Sequence, residues 1–288
     1  MRQGGMGWKT SAALALAAVL AGCGGGSGNS ASNSTSNGGS STPAAAPVAT
    51  TTPPSAGSTG TAPDTAETTV TAHPSCAAGS PYTLIVKNGG AIDPAVLEKM
   101  ECEFFLNYPK IVARLNPVAA PTTVRFTFGT IPNPAWTIDD EVTFSTTYMR
   151  NFPQDIDVVT HEIVHVAQHA PDLPGWVVEG TADFLRQQYG LYNVSGGWTM
   201  VEAWAPNQNY TDGYGTAASF FKWIDYKYRE GKLPIVDALQ AAGMHGPYDP
   251  QIWVTLTGYD LDTLWYLYSN KTLPAPPGAK CAPGTYPC

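Results

Sequence analysis

Basic residues are scarce in this chain. It carries 15 Lys and Arg against 23 Asp and Glu, a net charge of −8 over 288 residues, which speaks against a nucleic-acid partner. Charges of either sign reach only 13%, while there are 29 glycines and 25 prolines, so part of the chain is non-globular. No apolar run is long enough to span a bilayer comfortably, the nearest being Ala12 to Ala21. None of the five cysteines falls into a paired Cys-x-x-Cys pattern, which sets disulfides ahead of a cysteine zinc site. No EF-hand spacing surrounds Asp139-Asp140-Glu141, and that stretch reads as an acidic turn.

The N-terminus is where the unusual composition lies. Residues 1–23 have the form of an export signal, with Arg2 and Lys9 ahead of the short apolar core. It ends Leu20-Ala21-Gly22-Cys23, a lipobox-like sequence in which Cys23 becomes a lipidated N-terminus; the rival is a soluble secreted protein cleaved nearby. Several acyl chains on one residue anchor a protein without a spanning helix. Residues 24–74 are mostly Gly, Ser, Thr, Asn, Ala and Pro, and cannot bury enough apolar surface to offset their ordering entropy. They read as a disordered tether with a reach of roughly 40 Å. This leaves 75–288 as one folded domain of the bacterial cell envelope, facing periplasm or exterior, with Cys76, Cys102, Cys281 and Cys288 in oxidising surroundings. Pairing by proximity joins Cys76 to Cys102 and Cys281 to Cys288, with a second zinc site as the rival arrangement.

The chemistry concentrates in Val159-Thr160-His161-Glu162-Ile163-Val164-His165-Val166-Ala167-Gln168. On a helix, His161 and His165 share a face one turn apart and can direct imidazole nitrogens at one Zn²⁺. Glu162 is turned away from that ligand position and is placed to take a proton from the attacking water. Ile156, Val158, Val159, Ile163, Val166 and Ala167 give this helix a broad apolar surface, as a buried helix has. A catalytic zinc usually takes a third protein ligand. Pro174-Gly175 makes a turn, and Glu179 on the following helix is the candidate, with Asp183 the fallback. Asp183, four residues on, shares that face and can accept the other ring N–H of a zinc histidine.

The run His161-Glu162-x-x-His165-x-x-Gln168, then Pro174-Gly175-Trp176-Val177-Val178-Glu179-Gly180-x-Ala182-Asp183-Phe184, resembles the basic secretory protein family of plant and bacterial zinc metallopeptidases. Asp212-Gly213-Tyr214 with Ala218-x-Phe220-Phe221, and later Leu256-Thr257-Gly258 with Leu264-Trp265, extend the resemblance over roughly residues 80–270. It implies a gluzincin-type fold with zinc held by two histidines and a glutamate.

The remaining pattern supports an α+β, zincin-like fold: a small N-terminal sheet lobe, the HExxH helix, and a helical C-terminal lobe. Tyr82 to Val86 is expected as the first strand, followed by a helix capped by Asp93-Pro94 and interrupted at Pro109. Val124, Phe126 and Phe128 alternate with polar residues as a half-buried strand, and another is expected from Glu141 to Tyr148. Ala135-Trp136-Thr137 is a candidate edge strand beside the cleft, where an extended peptide could add. Helices are expected from about Gly215 to Arg229, Pro234 to Ala241 and Asp260 to Tyr268, with Trp253, Trp265 and Tyr266 filling core. His169 lies about 12 Å along the helix from His161, too far to share its ion. A peptidase also needs an oxyanion donor. Tyr214 is the candidate, ahead of Tyr210 and His245.

The expectation is a lipid-anchored zinc peptidase acting on peptide or protein substrates. An endopeptidase is favoured because no Gly-x-Met-Glu-Asn exopeptidase motif is present. A membrane-tethered adhesion module with the same fold and no turnover is the alternative.

Overall fold

The computed structural model describes residues 67–76, 79–169, 172–200 and 207–270. The expected signal at 1–23, lipidation at Cys23, most of the tether and the Cys281–Cys288 pair lie outside the described residues.

Alternation in Thr123–Gly129 produces strand β3, which buries Val124, Phe126 and Phe128 and leaves Thr123, Arg125 and Thr127 half-exposed. It is the middle of a five-stranded sheet ordered β1-β2-β3-β5-β4, with β1 Glu67–Val70, β2 Thr83–Lys87, β4 Ala135–Ile138 and β5 Glu141–Ser145. β2, β3 and β5 are parallel, while each edge strand pairs antiparallel to its neighbour. Parallel neighbours need a crossover, and α1, Pro94–Leu115, supplies it between β2 and β3. As expected, the Asp93 carboxylate accepts the Ala95 N–H at 2.8 Å, with Pro94 at the first helical position.

Several expectations are corrected. The fold begins inside the stretch read as tether: Thr68, Thr69 and Val70 pair with Val86, Ile85 and Leu84, so β-branched residues on a sheet edge outweigh the polar composition around them. Pro109 does not interrupt α1. Burial of Ile111, Val112 and Leu115 contributes roughly 1.5–3 kcal/mol each, more together than the about 3 kcal/mol an internal proline costs. β5 stops at Ser145, whose hydroxyl accepts the Tyr148 N–H and starts α2, Thr146–Asn151. Tyr266 is 54% exposed; Leu264 and Tyr268, one turn apart, are the buried face of that helix.

The HExxH segment is α3, Val158–Gln168, and α4 is Gly175–Tyr189. Their side chains pair His161 with Asp183 and His165 with Glu179, the register of antiparallel helices. Beyond them come α5 Tyr214–Tyr228, α6 Ile235–His245, α7 Gln251–Thr257 and α8 Leu261–Ser269. Among the described residues the buried apolar side chains form two cores. One joins the sheet to α1 and α3, the other gathers α5 to α8 around the buried Trp253. α4 contributes Ala182 and Leu185 to the first and Val177 to the second. Its polar face therefore lies at the seam between them. No helix among the described residues is long and apolar enough to cross a membrane.

Candidate metal centre

His161 Nε2 and His165 Nε2 lie 3.2 Å apart, and Glu179 Oε2 lies 3.3 Å from the first and 3.5 Å from the second. Tetrahedral coordination with bonds of about 2.0–2.1 Å separates ligand atoms by about 3.3–3.4 Å. The triangle thus has the dimensions of one face of a zinc tetrahedron. Glu179 Oε2 is buried without a hydrogen-bond donor. A cation bound by all three side chains would satisfy it, and the donor set of two imidazoles and one carboxylate suits zinc.

The electrostatics agree. Burial pushes the Glu179 carboxyl up, but His165 and His161 together pull it further down, to well below the carboxylate range. Burial alone would depress the His165 imidazole, yet Glu179 leaves it above its usual value. The site is built around positive charge.

Each histidine is held through its remaining ring nitrogen. His161 Nδ1 donates to Asp183 Oδ1 at 2.8 Å, as expected, and His165 Nδ1 donates to Gln168 Oε1 at 3.0 Å. Both bonds leave Nε2 as the nitrogen at the triangle. Gln168 is itself held by its donation to the Val178 carbonyl at 3.3 Å and, through its own carbonyl, by Gln240 of α6. A buried, hydrogen-bonding Gln168 is the default expectation from its place in the pattern, and the structure adds its partner, His165, three residues before it.

Glu162 is 2% exposed. Its Oε2 accepts from Thr137 Oγ1 at 2.7 Å, and the same hydroxyl lies 3.1 Å from the Glu162 carbonyl oxygen. Thr137 comes from edge strand β4, so the strand singled out beside the cleft also orients the carboxylate. Thr137, Asp139, His165, Val166, Leu173 and Val178 line a cleft of about 390 Å³.

The close approach of α5 depends on two glycines. A Cβ on Gly180 would come within 2.5 Å of Ala217 Cβ and 2.8 Å of Phe221 Cε2, so only glycine lets α4 and α5 meet here. Gly213, at φ +71°, packs on the Glu179 stem, where a Cβ would meet Glu179 Cβ at 3.4 Å. Tyr214 follows at φ 45°, its ring nearly parallel to His161 with centroids 6.1 Å apart. Of the other candidates, the Tyr210 hydroxyl donates to Asp262 at 3.1 Å, and His245 ends α6 exposed. His169 caps α3 at φ 39°, outside the triangle.

Behind α3 lies a second polar cluster that sequence reasoning missed. Glu103 and Asn107 of α1 meet Thr160, the residue before His161, with every one of these side chains buried. Asp157 accepts the N–H groups of Leu191 and Tyr192 at 2.9 and 2.7 Å.

A family profile, described as peptidase of plants and bacteria and designated BSP, matches residues 122–268, a little over half of the chain. The match runs from the start of β3 into α8 and contains all the side chains of the triangle. A search of the curated proteins finds no match. Among solved structures, the chain is similar to an M1 zinc metallopeptidase from Deinococcus radiodurans, in its wild-type crystal structure and in that of a point mutant. The identities are 12% and 11%, with a TM-score of 0.39 for both. The alignments cover 73% of this chain and 53% of that one, so the chain spans about half the length of that enzyme.

Proposed function

The chain belongs to the BSP family of plant and bacterial peptidases, and from that premise we propose that it is a zincin-like, zinc-dependent peptidase, acting as an endopeptidase on extended peptide or protein substrates. The observation that carries this reading is the His161–His165–Glu179 triangle, with edges of 3.2, 3.3 and 3.5 Å and a buried carboxylate oxygen that lacks a donor.

His161, His165 and Glu179 would hold the zinc, which would supply a Lewis acid for the scissile carbonyl and lower the pKa of water to about 7. Glu162 then takes a proton from the attacking water and returns it to the leaving amine. Thr137 holds that carboxylate by one oxygen, leaving the other for the water. Asp183 and Gln168 fix the imidazole tautomers, so neither histidine must reorganise when an ion binds. Tyr214 is the group we assign to the developing oxyanion, since it lies over His161 at the start of α5. The outer edge of β4 offers backbone groups to a substrate strand, which suits cleavage within a chain. The same proposal places the enzyme in the bacterial cell envelope, held by lipid on Cys23.

The test is turnover of casein by wild type and by Glu162→Gln. The expected result is a loss of about 10²–10⁴-fold in rate with zinc content unchanged. Equal rates would remove Glu162 from the reaction, and no turnover by either protein would favour a tethered adhesion module.

A further inference from the structure

A second set of metal-binding side chains lies where the turn after β1 meets α1. Cys76 and Cys102 form a disulfide there, with Cα atoms 5.7 Å apart. His73 is only 8% exposed, and its Nδ1 is 3.2 Å from Cys102 Sγ. The Cys76 N–H donates to the His73 carbonyl at 3.1 Å, a turn that brings residues 73 and 76 to the same corner. The imidazole nitrogen and both sulfurs consequently lie within 4.8 Å of one another. On the other side of the ring, Nε2 faces Glu101 Oε2 at 3.7 Å.

A disulfide needs none of this to cross-link the corner. An apolar side chain in place of His73 would close it without the desolvation of an imidazole. The arrangement matches a different requirement: two sulfurs and one imidazole nitrogen within 4.8 Å of one another, with a carboxylate 3.7 Å behind the histidine, is the kind of donor set zinc takes. The spacing of the cysteines along the chain conceals it, because Cys76 and Cys102 are 26 residues apart.

We propose that reduction of the Cys76–Cys102 disulfide converts this corner into a zinc site formed by Cys76, Cys102 and His73, separate from the His161 centre. The S–S bond holds the N-terminal strand to α1 under oxidising conditions, and the metal holds it under reducing ones. In the cell the reductant is a dithiol: its two sulfurs join in a new S–S bond as the Cys76–Cys102 bond breaks, and its two protons pass to the cysteines. Both protons leave again when the thiolates take up the ion. His73 assists the opening by stabilising the Cys102 thiolate as it leaves.

The test uses the full chain with Cys23, Cys281 and Cys288 replaced by serine, so that only this pair can respond. A water-soluble trialkylphosphine reduces the disulfide, its phosphorus taking oxygen from water while each sulfur gains a proton, and is removed before metal is added. Co²⁺ is the spectroscopic probe and Zn²⁺ the counted one. The reduced protein is expected to bind one more equivalent of metal than the oxidised protein and to show a sulfur-to-cobalt charge-transfer band that the oxidised protein lacks. His73→Ala is expected to weaken this binding by more than about tenfold, and Glu101→Gln, which spares all three ligands, by about tenfold. A thermal melt of each reduced protein verifies that it is folded. No added equivalent and no charge-transfer band in folded, reduced protein would overturn the proposal, as would unchanged affinity in His73→Ala. The comparison is between redox states of one protein and does not depend on peptidase activity.

Discussion

Two glutamates flank helix α3, Glu179 from α4 on the side of the metal triangle and Glu103 from α1 on the opposite cluster. Burial pushes both carboxyls up. Glu179 meets two imidazoles, which reverse the effect and hold it ionised. Glu103 meets no cation: Asp157 adds to the upward push, and hydrogen bonds from Thr160 and Asn107 offset only part of it, leaving its carboxyl at about 8. Its Oε2 has no hydrogen-bond partner, and the raised carboxyl keeps its proton at neutral pH. One residue type buried beside one helix therefore serves two purposes, set by the charge of its neighbours. On the function proposed above the front cluster holds a metal cation, while the back one keeps a proton where α3 meets α1.

The contrast can be broken most severely from the front. Glu179→Gln removes the negative corner of the triangle while keeping its shape. Zinc affinity, measured by competition with a chromogenic chelator, is expected to fall by more than about 100-fold, beyond the 10–100-fold typical of outer partners. Asp183→Asn changes only what His161 leans on, and should lose about 10–100-fold in the same assay.

The back cluster should respond to pH instead. The Glu103 carboxyl titrates at about 8 in the fold against an ordinary 4.5, so the unfolded chain releases its proton first as pH rises. The stability it contributes is complete below about pH 4.5 and is lost as pH climbs through about 8. Glu103→Gln keeps a neutral side chain of the same shape. Its Tm, measured by circular dichroism, should decline less than that of wild type across this window, and parallel declines would remove Glu103 as the proton holder. Glu179 has the opposite sign in metal-free protein, since a lowered carboxyl contributes above its ordinary value and loses that contribution as pH falls.

The front of α3 was legible in the sequence because its chemistry is local. His161, Glu162 and His165 are placed by helical spacing alone, and Asp183 follows Glu179 by one turn. The capped start of α1 and the alternation of β3 were readable for the same reason. What escaped depends on residues distant in sequence. Thr137 reaches Glu162 from 25 positions away and Thr160 reaches Glu103 from 57, and no periodicity announces either contact. Pro109 misled because a local penalty was weighed without the burial of the turn beyond it. Gln168 was quoted for its place in the pattern, but its bond to His165 becomes meaningful only once the ring orientation is known.

On the function proposed above, three side chains from two helices hold one zinc ion and leave a corner open to solvent. X-ray absorption at the zinc edge on the oxidised full chain tests it directly. The expected result is one zinc per chain, bound by two imidazole nitrogens and a carboxylate oxygen at about 2.0–2.2 Å, with a fourth light-atom ligand that exchanges for an added hydroxamate. A protein that takes up no zinc, or a shell filled by four protein ligands that the hydroxamate leaves unchanged, would contradict it.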